Sequence, residues 1–218
     1  WMRDVLMPVL SAALGTLEQG IDLTAMMAQG ITMGDEFHQR NIASSALLMR
    51  TLAPQIARLQ HNKQQIAEVM DFLSVTDQFF LNLAMAYCKA ATDASRVVTE
   101  GSVVTAMTRN GFEFGIRVSG LGDQWFTAPV NTPTGLFFTG YDHSQACPDM
   151  GDSAITETLG LGGFAMASSP AITQFVGGTP NDALDSTRSM RRITLAPYPA
   201  FPLPPLNFAG APSGIDVL

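Results

Sequence analysis

Charged residues are scarce in this chain: they make up 14% of its 218 residues, against roughly 25% in an average soluble domain. Apolar residues, at 46%, are at an ordinary level, so the composition excludes intrinsic disorder. Because so little charge leaves much apolar surface to be covered, we expect an obligate assembly. The formal net charge of −7 argues against nucleic-acid and membrane partners, since both need a basic footprint.

Cysteine and histidine are also few. Cys88 falls in a helical pattern and Cys147 in a loop, which predicts no disulfide framework and fits a reducing cytoplasm. The three histidines, His38, His61 and His143, are far apart, and neither cysteine has a CxxC partner. This spacing predicts no bound metal and disfavours a stand-alone metal-dependent hydrolase.

Two uncharged stretches, 158–181 and 193–215, exceed the roughly 20 residues that a bilayer requires. Glycines interrupt the first and prolines the second, so neither can form one continuous apolar helix. We expect both to be buried polypeptide rather than membrane spans.

Residues 1–98 have the apolar spacing and the punctuation of helices. The first helix is predicted to end at Gly20, and the second to run from an Asp22 cap to Gly30. The third is predicted to begin at Asp35 and to end or kink at Pro54. Two further helices are predicted over 63–73, opened by Asn62 with Gln65, and over 75–94, opened by Ser74 with Asp77. Each start is an N-cap or capping-box signal.

The hydrophobic period changes to two at residue 102, which predicts a β-hairpin at about 102–118 with Asn110-Gly111 in a type I′ turn. Beyond it we expect a short strand over 135–139, helices from Ser153, from Ser169 to Phe175 and from Thr179 to Arg192, and an extended surface segment over 196–213. The fold class is therefore α+β, with a helical region, 1–98, and a mixed, loop-rich α/β region, 99–218.

The first candidate site lies at 34–41, where Asp35, Glu36, His38 and Arg40 are crowded together. In a purely structural interpretation Asp35 caps a helix, Glu36 pairs with Arg40 and His38 packs. In a functional interpretation His38 is a general acid or base, with Glu36 as the second catalytic candidate, because an imidazole titrates near neutrality.

The second candidate site is the hairpin, whose possible anion ligands are Arg109, Asn110 and Arg117. Arg117 shares a strand face with Glu113, which is either a solvated face or one arm of a clamp on an anionic substrate.

The third candidate site runs from Asp152 and Ser153 to Gly162 and Gly163. Glycines here either allow close helix packing or form a backbone amide cradle for phosphate or carboxylate. The string matches neither a Walker A loop nor a dinucleotide fingerprint, so no nucleotide cofactor is expected. Ser153 is not in a GxSxG elbow, which disfavours a serine hydrolase.

Taken together, five long segments resemble the YlbE/YahG-like family of bacterial proteins, long known as a domain of unknown function. They are MGDEFHQRN at 33–41, FFLNLAMAYCKA at 79–90, SVVTAMTRNGFEFGIRVSGLGDQWFTAP at 102–129, PDMGDSAITETLGLGGFAMASSPAI at 148–172 and PSGIDV at 212–217. The resemblance implies a mixed α/β architecture and a full-length protein about twice this size.

One branch of this family is a subunit of oxamate carbamoyltransferase, which acts in purine and allantoin catabolism. It converts oxalurate and phosphate into oxamate and carbamoyl phosphate together with other subunits. The resemblance therefore implies a hetero-oligomer, or a homo-oligomer, acting on a small anionic substrate. It supplies no catalytic residues, and a non-catalytic assembly subunit, or a member of unknown function that binds a small anion, stays open as the alternative.

Overall fold

The computed structural model describes residues 1–173 and 177–218, and its first part is helical, as predicted. A π-helical turn, Met2–Leu6, continues into the first helix. The helices are α1, Met7–Gly15; α2, Leu23–Thr32; α3, Ile42–Arg58; α4, Lys63–Val75; and α5, Leu81–Asp93.

Two of the predicted helix starts are confirmed by cap geometry. The Asp22 carboxylate accepts a hydrogen bond from the Ala25 amide at 2.9 Å, and the Asn62 side chain accepts from Gln64 and Gln65 at 2.8 and 3.3 Å. These bonds satisfy amide groups that have no partner inside the helix.

Three other boundaries are corrected. The first helix ends at Gly15 rather than at Gly20, and Pro54 lies inside α3 without ending it. Ser74 belongs to the last turn of α4, where its hydroxyl donates to the Asp71 carbonyl oxygen. It therefore opens no helix, and α5 begins later, at Leu81, after hydrogen-bonded turns.

Asp35 is predicted to be the first residue of the third helix, but it lies outside α3. Residues 34–41 form a loop, and the Asp35 carboxylate reaches the helix from there, accepting from Ala43 and Ser44 at 3.1 and 2.7 Å. Asp35 therefore does bind the first turn of α3, although the helix starts only at Ile42. A helix cannot begin at Asp35, because Phe37 adopts a left-handed φ of 74°.

The predicted hairpin is confirmed as β1, Val104–Asn110, paired antiparallel with β2, Glu113–Val118. Adding β3, Phe126–Pro129, and β4, Met150–Gly151, gives one sheet in the order β3-β2-β1-β4. The turn is not type I′, since only Gly111 has a positive φ there; Asn110 instead accepts two backbone hydrogen bonds through its side chain. Residues 135–139 form no strand.

The C-terminal part alternates short helices with a second sheet. Helix α6 is Ile155–Leu159 and helix α7 is Pro180–Met190. The latter has the predicted Thr179 cap, and the Thr179 backbone amide in turn donates to the Asp182 carboxylate. Short 3-10 segments cover Gly162–Ser168 and Pro170–Ile172, and the predicted helix end at Phe175 lies outside the described residues.

The segment 196–213 is extended, as predicted, and most of it forms a paired sheet. Strand β5, Thr194–Leu203, pairs with β6, Ala209–Ile215, in a two-stranded antiparallel sheet. Phe201 and Leu203 on β5 are fully buried, because this hairpin closes over the helices.

The hydrophobic core joins both parts of the chain, and the α+β fold class is confirmed. Buried residues of the N-terminal helices, such as Leu48 and Cys88, belong to the same cluster as Leu161 and Phe201. Among the described residues, no helix combines the length and the apolar character that crossing a membrane demands.

Candidate active site

Loop 34–41 is built around the buried carboxylate of Glu36, which is 1% exposed. Its Oε1 accepts from the backbone N–H groups of His38, Gln39 and Arg40 at 3.0, 2.5 and 2.7 Å. The loop is thus wound around one oxygen atom, and Phe37 anchors it in the core. This arrangement holds His38 at the loop's tip.

The environment changes the pKa values of both loop carboxyls. Burial raises the pKa of Glu36 to about 7, although the hydrogen bonds from the backbone amides of Arg40 and His38 act in the opposite direction. Burial likewise raises the pKa of Asp35, against the hydrogen bonds from α3. Glu36 can therefore carry a proton near neutral pH.

His38 links this loop to helix α6. Its Nδ1 lies 2.7 Å from Glu157 Oε1 and its Nε2 lies 2.9 Å from Ser153 Oγ. The hydrogen bond to Glu157 is the main reason why the pKa of His38 is raised, while burial lowers it. Ser153, His38 and Glu157, which we call the His38 triad, lie at one place although His38 is 115 and 119 positions away from the other two in the sequence.

Two glycines position the acid of the triad. The Gly163 amide donates to Glu157 Oε1 at 2.9 Å, and the Gly162 amide donates to the Glu36 carbonyl oxygen at 2.6 Å. A Cβ atom on Gly162 would lie 1.9 Å from Glu157 Oε1, so only glycine leaves room for the carboxylate there. Of the two glycine amides, that of Gly163 therefore binds a carboxylate of the protein itself.

Arg109 borders the triad. Its guanidinium binds both carboxylate oxygens of Asp149 at 2.7 and 3.3 Å and donates to the Gly151 carbonyl oxygen, two residues before Ser153. Its charge also lowers the pKa of His38. Arg109 therefore supplies positive charge next to the triad while Asp149 fixes its position.

Asp152 and Ile155, which flank Ser153 in the sequence, line an open groove of about 380 Å³. Lys89, Thr108 and Trp125 are among the other lining residues. This groove offers room for a small substrate at the edge of the triad.

Arg117 and Asn110 are placed differently. Arg117 is 13% exposed, pairs with Asp123, and its guanidinium carbon lies 5.6 Å from the centre of the Trp125 ring. Arg117 thus packs against Trp125, the aromatic residue that lines the groove. Asn110 uses its side-chain oxygen to close the hairpin turn.

The structure therefore brings His38, Ser153, Gly162 and Gly163 together around Glu157, with Glu36 beneath. Glu157 is a residue that the sequence analysis did not single out. The available signal was its position four residues after Ser153, a spacing that would place both side chains on one face of the helix predicted from Ser153. In the structure that helix, α6, begins later, at Ile155. His38 precedes Ser153 by 115 residues and Glu157 by 119 residues.

Within residues 1–173 and 177–218, no three His, Cys, Asp or Glu side chains are grouped so that they could hold a metal ion. The side chains that meet at this site carry a hydroxyl, an imidazole and carboxylates.

Comparison with known proteins defines the class. A family profile described as oxamate carbamoyltransferase subunit AllG matches residues 1–153. The chain belongs to this family, and the resemblance expected from its segments is confirmed.

Particular relatives agree with this. The chain is 70% identical over 218 residues to the oxamate carbamoyltransferase subunit AllG of Escherichia coli K12, and 48% identical over 217 residues to the uncharacterized protein YahG of the same strain. It covers 52% of the first and 46% of the second, so it spans about half the length of these relatives. A crystal structure of a conserved protein of unknown function from Enterococcus faecalis V583 matches with a TM-score of 0.96 at 48% identity, covering 100% of this chain and 52% of that one.

Proposed function

We propose that this chain is the part of an oxamate carbamoyltransferase subunit that carries catalytic side chains. In this proposal the complete enzyme transfers the carbamoyl group of oxalurate to phosphate, yielding oxamate and carbamoyl phosphate. The relationship to the AllG subunit supports the substrate class, and the contact between His38, Ser153 and Glu157 is the observation that supports a catalytic rather than a purely architectural role.

The residues suit this chemistry. A carbamoyl transfer moves protons at the attacking oxygen and at the leaving nitrogen, which requires a group that both accepts and donates near neutral pH. His38 meets this requirement, because Glu157 stabilises its protonated form. Glu36, the second catalytic candidate, is almost fully buried, so in our proposal it acts by shaping the loop that carries His38.

The substrates are small anions and need positive charge. Lys89 lines the groove and Arg109 lies beside Gly151, so we propose them as the charges that attract carboxylate and phosphate. In the proposal Asp152 and Ser153 form the edge where the substrate meets the triad, Arg117 holds the Trp125 wall, and Asn110 shapes the hairpin.

The setting follows from the same proposal. We propose that the protein works in the cytoplasm, in purine catabolism, as part of an oligomer with other subunits, without a metal or cofactor. Both cysteines are free thiols, Cys88 buried and Cys147 exposed, which fits a reducing compartment.

The test is turnover by the complete complex. Full-length protein, assembled with its partner subunits, is given oxalurate and phosphate, and carbamoyl phosphate is measured. We expect His38→Ala to lower turnover by about 100-fold or more. His143→Ala is the matched control, because His143 is exposed and packs against the Phe137 ring, and it should leave turnover unchanged. Full activity of His38→Ala contradicts a catalytic role.

A second candidate, a non-catalytic assembly subunit, has an observation of its own. Large apolar side chains are exposed between β2 and β4, including Leu136 at 63% and Phe138 at 88%. Exposed apolar patches of this kind mark protein–protein contacts. If this candidate is correct, Phe138→Ser should dissociate the complex, whereas His38→Ala should leave both assembly and turnover intact.

A further inference from the structure

In the neutral form of His38, the two hydrogen bonds of the ring have defined directions. A carboxylate only accepts, so His38 Nδ1–H donates to Glu157 Oε1, and the neutral ring then accepts at Nε2 from the Ser153 hydroxyl. The result is a hydroxyl bound to a base that a carboxylate orients. This is the relation by which a serine is activated as a nucleophile, whatever the fold and the chain order.

The acid of this triad is held from several sides. Thr156 Oγ1 donates to Glu157 Oε2 at 3.0 Å and the Gly163 amide to Oε1 at 2.9 Å, so the carboxylate cannot turn away from the imidazole. On the other side of the ring, the loop wound around Glu36 fixes the His38 backbone. Groups that are fixed in this way act without reorganising during the reaction.

The reactive end of the triad is accessible. The His38 side chain is 24% exposed, Ser153 is half-buried, and the next residue towards the N-terminus lines the groove described above. Glu157, at 16% exposure, lies on the Nδ1 side of the ring, so Ser153 Oγ occupies the opposite, Nε2 side.

We propose that Ser153 is a nucleophile that carries the carbamoyl group as a covalent intermediate. This inference rests on the proposed function and goes further, since it replaces direct attack of phosphate on the donor by two successive transfers. It accounts for the position of Ser153 Oγ, which occupies the Nε2 lone pair that a directly attacking phosphate would need.

In the first transfer, Ser153 Oγ attacks the carbamoyl carbon of an N-carbamoyl amide and its proton moves to His38 Nε2. The bond between the carbamoyl carbon and the amide nitrogen breaks, and His38 returns the proton to that nitrogen, so that a neutral amide leaves. In the second, a phosphate oxygen attacks the carbamoyl carbon, the bond to Oγ breaks, and His38 passes the phosphate proton to Oγ. The sum is carbamoyl phosphate and a free serine, with no oxidant or reductant.

The deciding experiment uses the complete complex with carbamoyl phosphate and without oxamate. We expect mass spectrometry to find one carbamoyl group on the peptide that contains Ser153, and radiolabelled phosphate to exchange into carbamoyl phosphate. Ser153→Ala should lose both signals. Ser74→Ala is the control, because Ser74 is exposed and donates only to a backbone carbonyl, and it should keep both.

A second variant tests the proposal in case Ser153→Ala does not fold. Glu157→Gln keeps the size of the side chain but removes the carboxylate that orients His38, so we expect turnover to fall on the order of 1,000-fold or more while the complex stays folded and assembled. Wild-type complex that turns over oxalurate but shows neither adduct nor exchange overturns the intermediate and leaves the proposed function standing.

The same preparation separates the two proposals if oxalurate is not turned over. A fluorophosphonate probe reports an activated serine whatever the natural substrate. Labelling of Ser153 that His38→Ala abolishes supports the nucleophile while the substrate assignment fails. Absence of labelling at Ser153 in folded wild-type complex overturns the nucleophile.

Discussion

At the scale of single residues, Glu36 shows how a buried charge can organise a site. Its oxygen collects the amide groups of the next turn of chain, and burial raises its pKa from 4.5 to about 7. The folded protein therefore binds a proton at Glu36 that the unfolded chain releases between these two pH values. By linkage, the free energy of unfolding falls as the pH rises through this interval.

Glu36→Gln tests this directly. We expect wild-type protein to lose about 3 kcal/mol of stability from this group between pH 4.5 and 7, and the amide variant to lose none of it. The raised pKa of His38 adds stability that is full below pH 6.5 and is lost above it, in both proteins. Urea unfolding at several pH values measures the slope. Glu113→Gln, on the exposed side of β2, should retain the wild-type slope.

At the scale of elements, the end of α6 is the point at which the triad depends on the second sheet. Gly160 follows the last helical residue with a φ of 107°, and a Cβ atom there would lie 1.9 Å from the Pro212 carbonyl oxygen on β6. Helix and strand backbones are in contact at this glycine, three residues after Glu157.

Gly160→Ala should therefore destabilise the protein by about 3 kcal/mol or more, because the strand must move away. Gly140→Ala is matched in having a positive φ, 90°, but its Cβ would meet open space, so only the backbone strain of about 1–2 kcal/mol applies. Chemical denaturation compares the two variants. Equal losses would show that the contact with β6 is unimportant.

At the scale of the whole molecule, the β5–β6 hairpin and the N-terminal helices share a core. Phe201 is fully buried between Tyr87 of α5 and Tyr198 of β5, with ring centroids 6.0 and 5.1 Å away. The change at residue 98 from helices to mixed structure is thus bridged by packing, and we expect both parts to unfold together.

Phe201→Ala should cost about 3–5 kcal/mol and lower the unfolding midpoint of helical and aromatic signals alike. Phe138→Ala removes the same ring from an exposed loop and should change stability by less than about 0.5 kcal/mol. Circular dichroism and intrinsic protein fluorescence followed in one titration measure both. Separate midpoints for the two signals would show two independent units.

Local signals in the sequence predicted local structure. The alternation around residue 110 predicted the β1–β2 hairpin, and the caps at Asp22, Asn62 and Thr179 predicted helix starts, because these bonds join residues within a few positions. The errors arose where tertiary contacts override local preference. The hydrophobic and polar pattern after Asp35 resembles a helix, but burial of Glu36 and Phe37 makes that stretch a loop.

The sequence by itself determined the fold class, most helix positions and the family, since each depends on local patterns or on long matching segments. It also indicated His38, Ser153 and the two glycines one by one. Only the tertiary structure decided that they meet around Glu157, because 115 and 119 residues separate His38 from its two partners, and no local pattern records a contact made across the core.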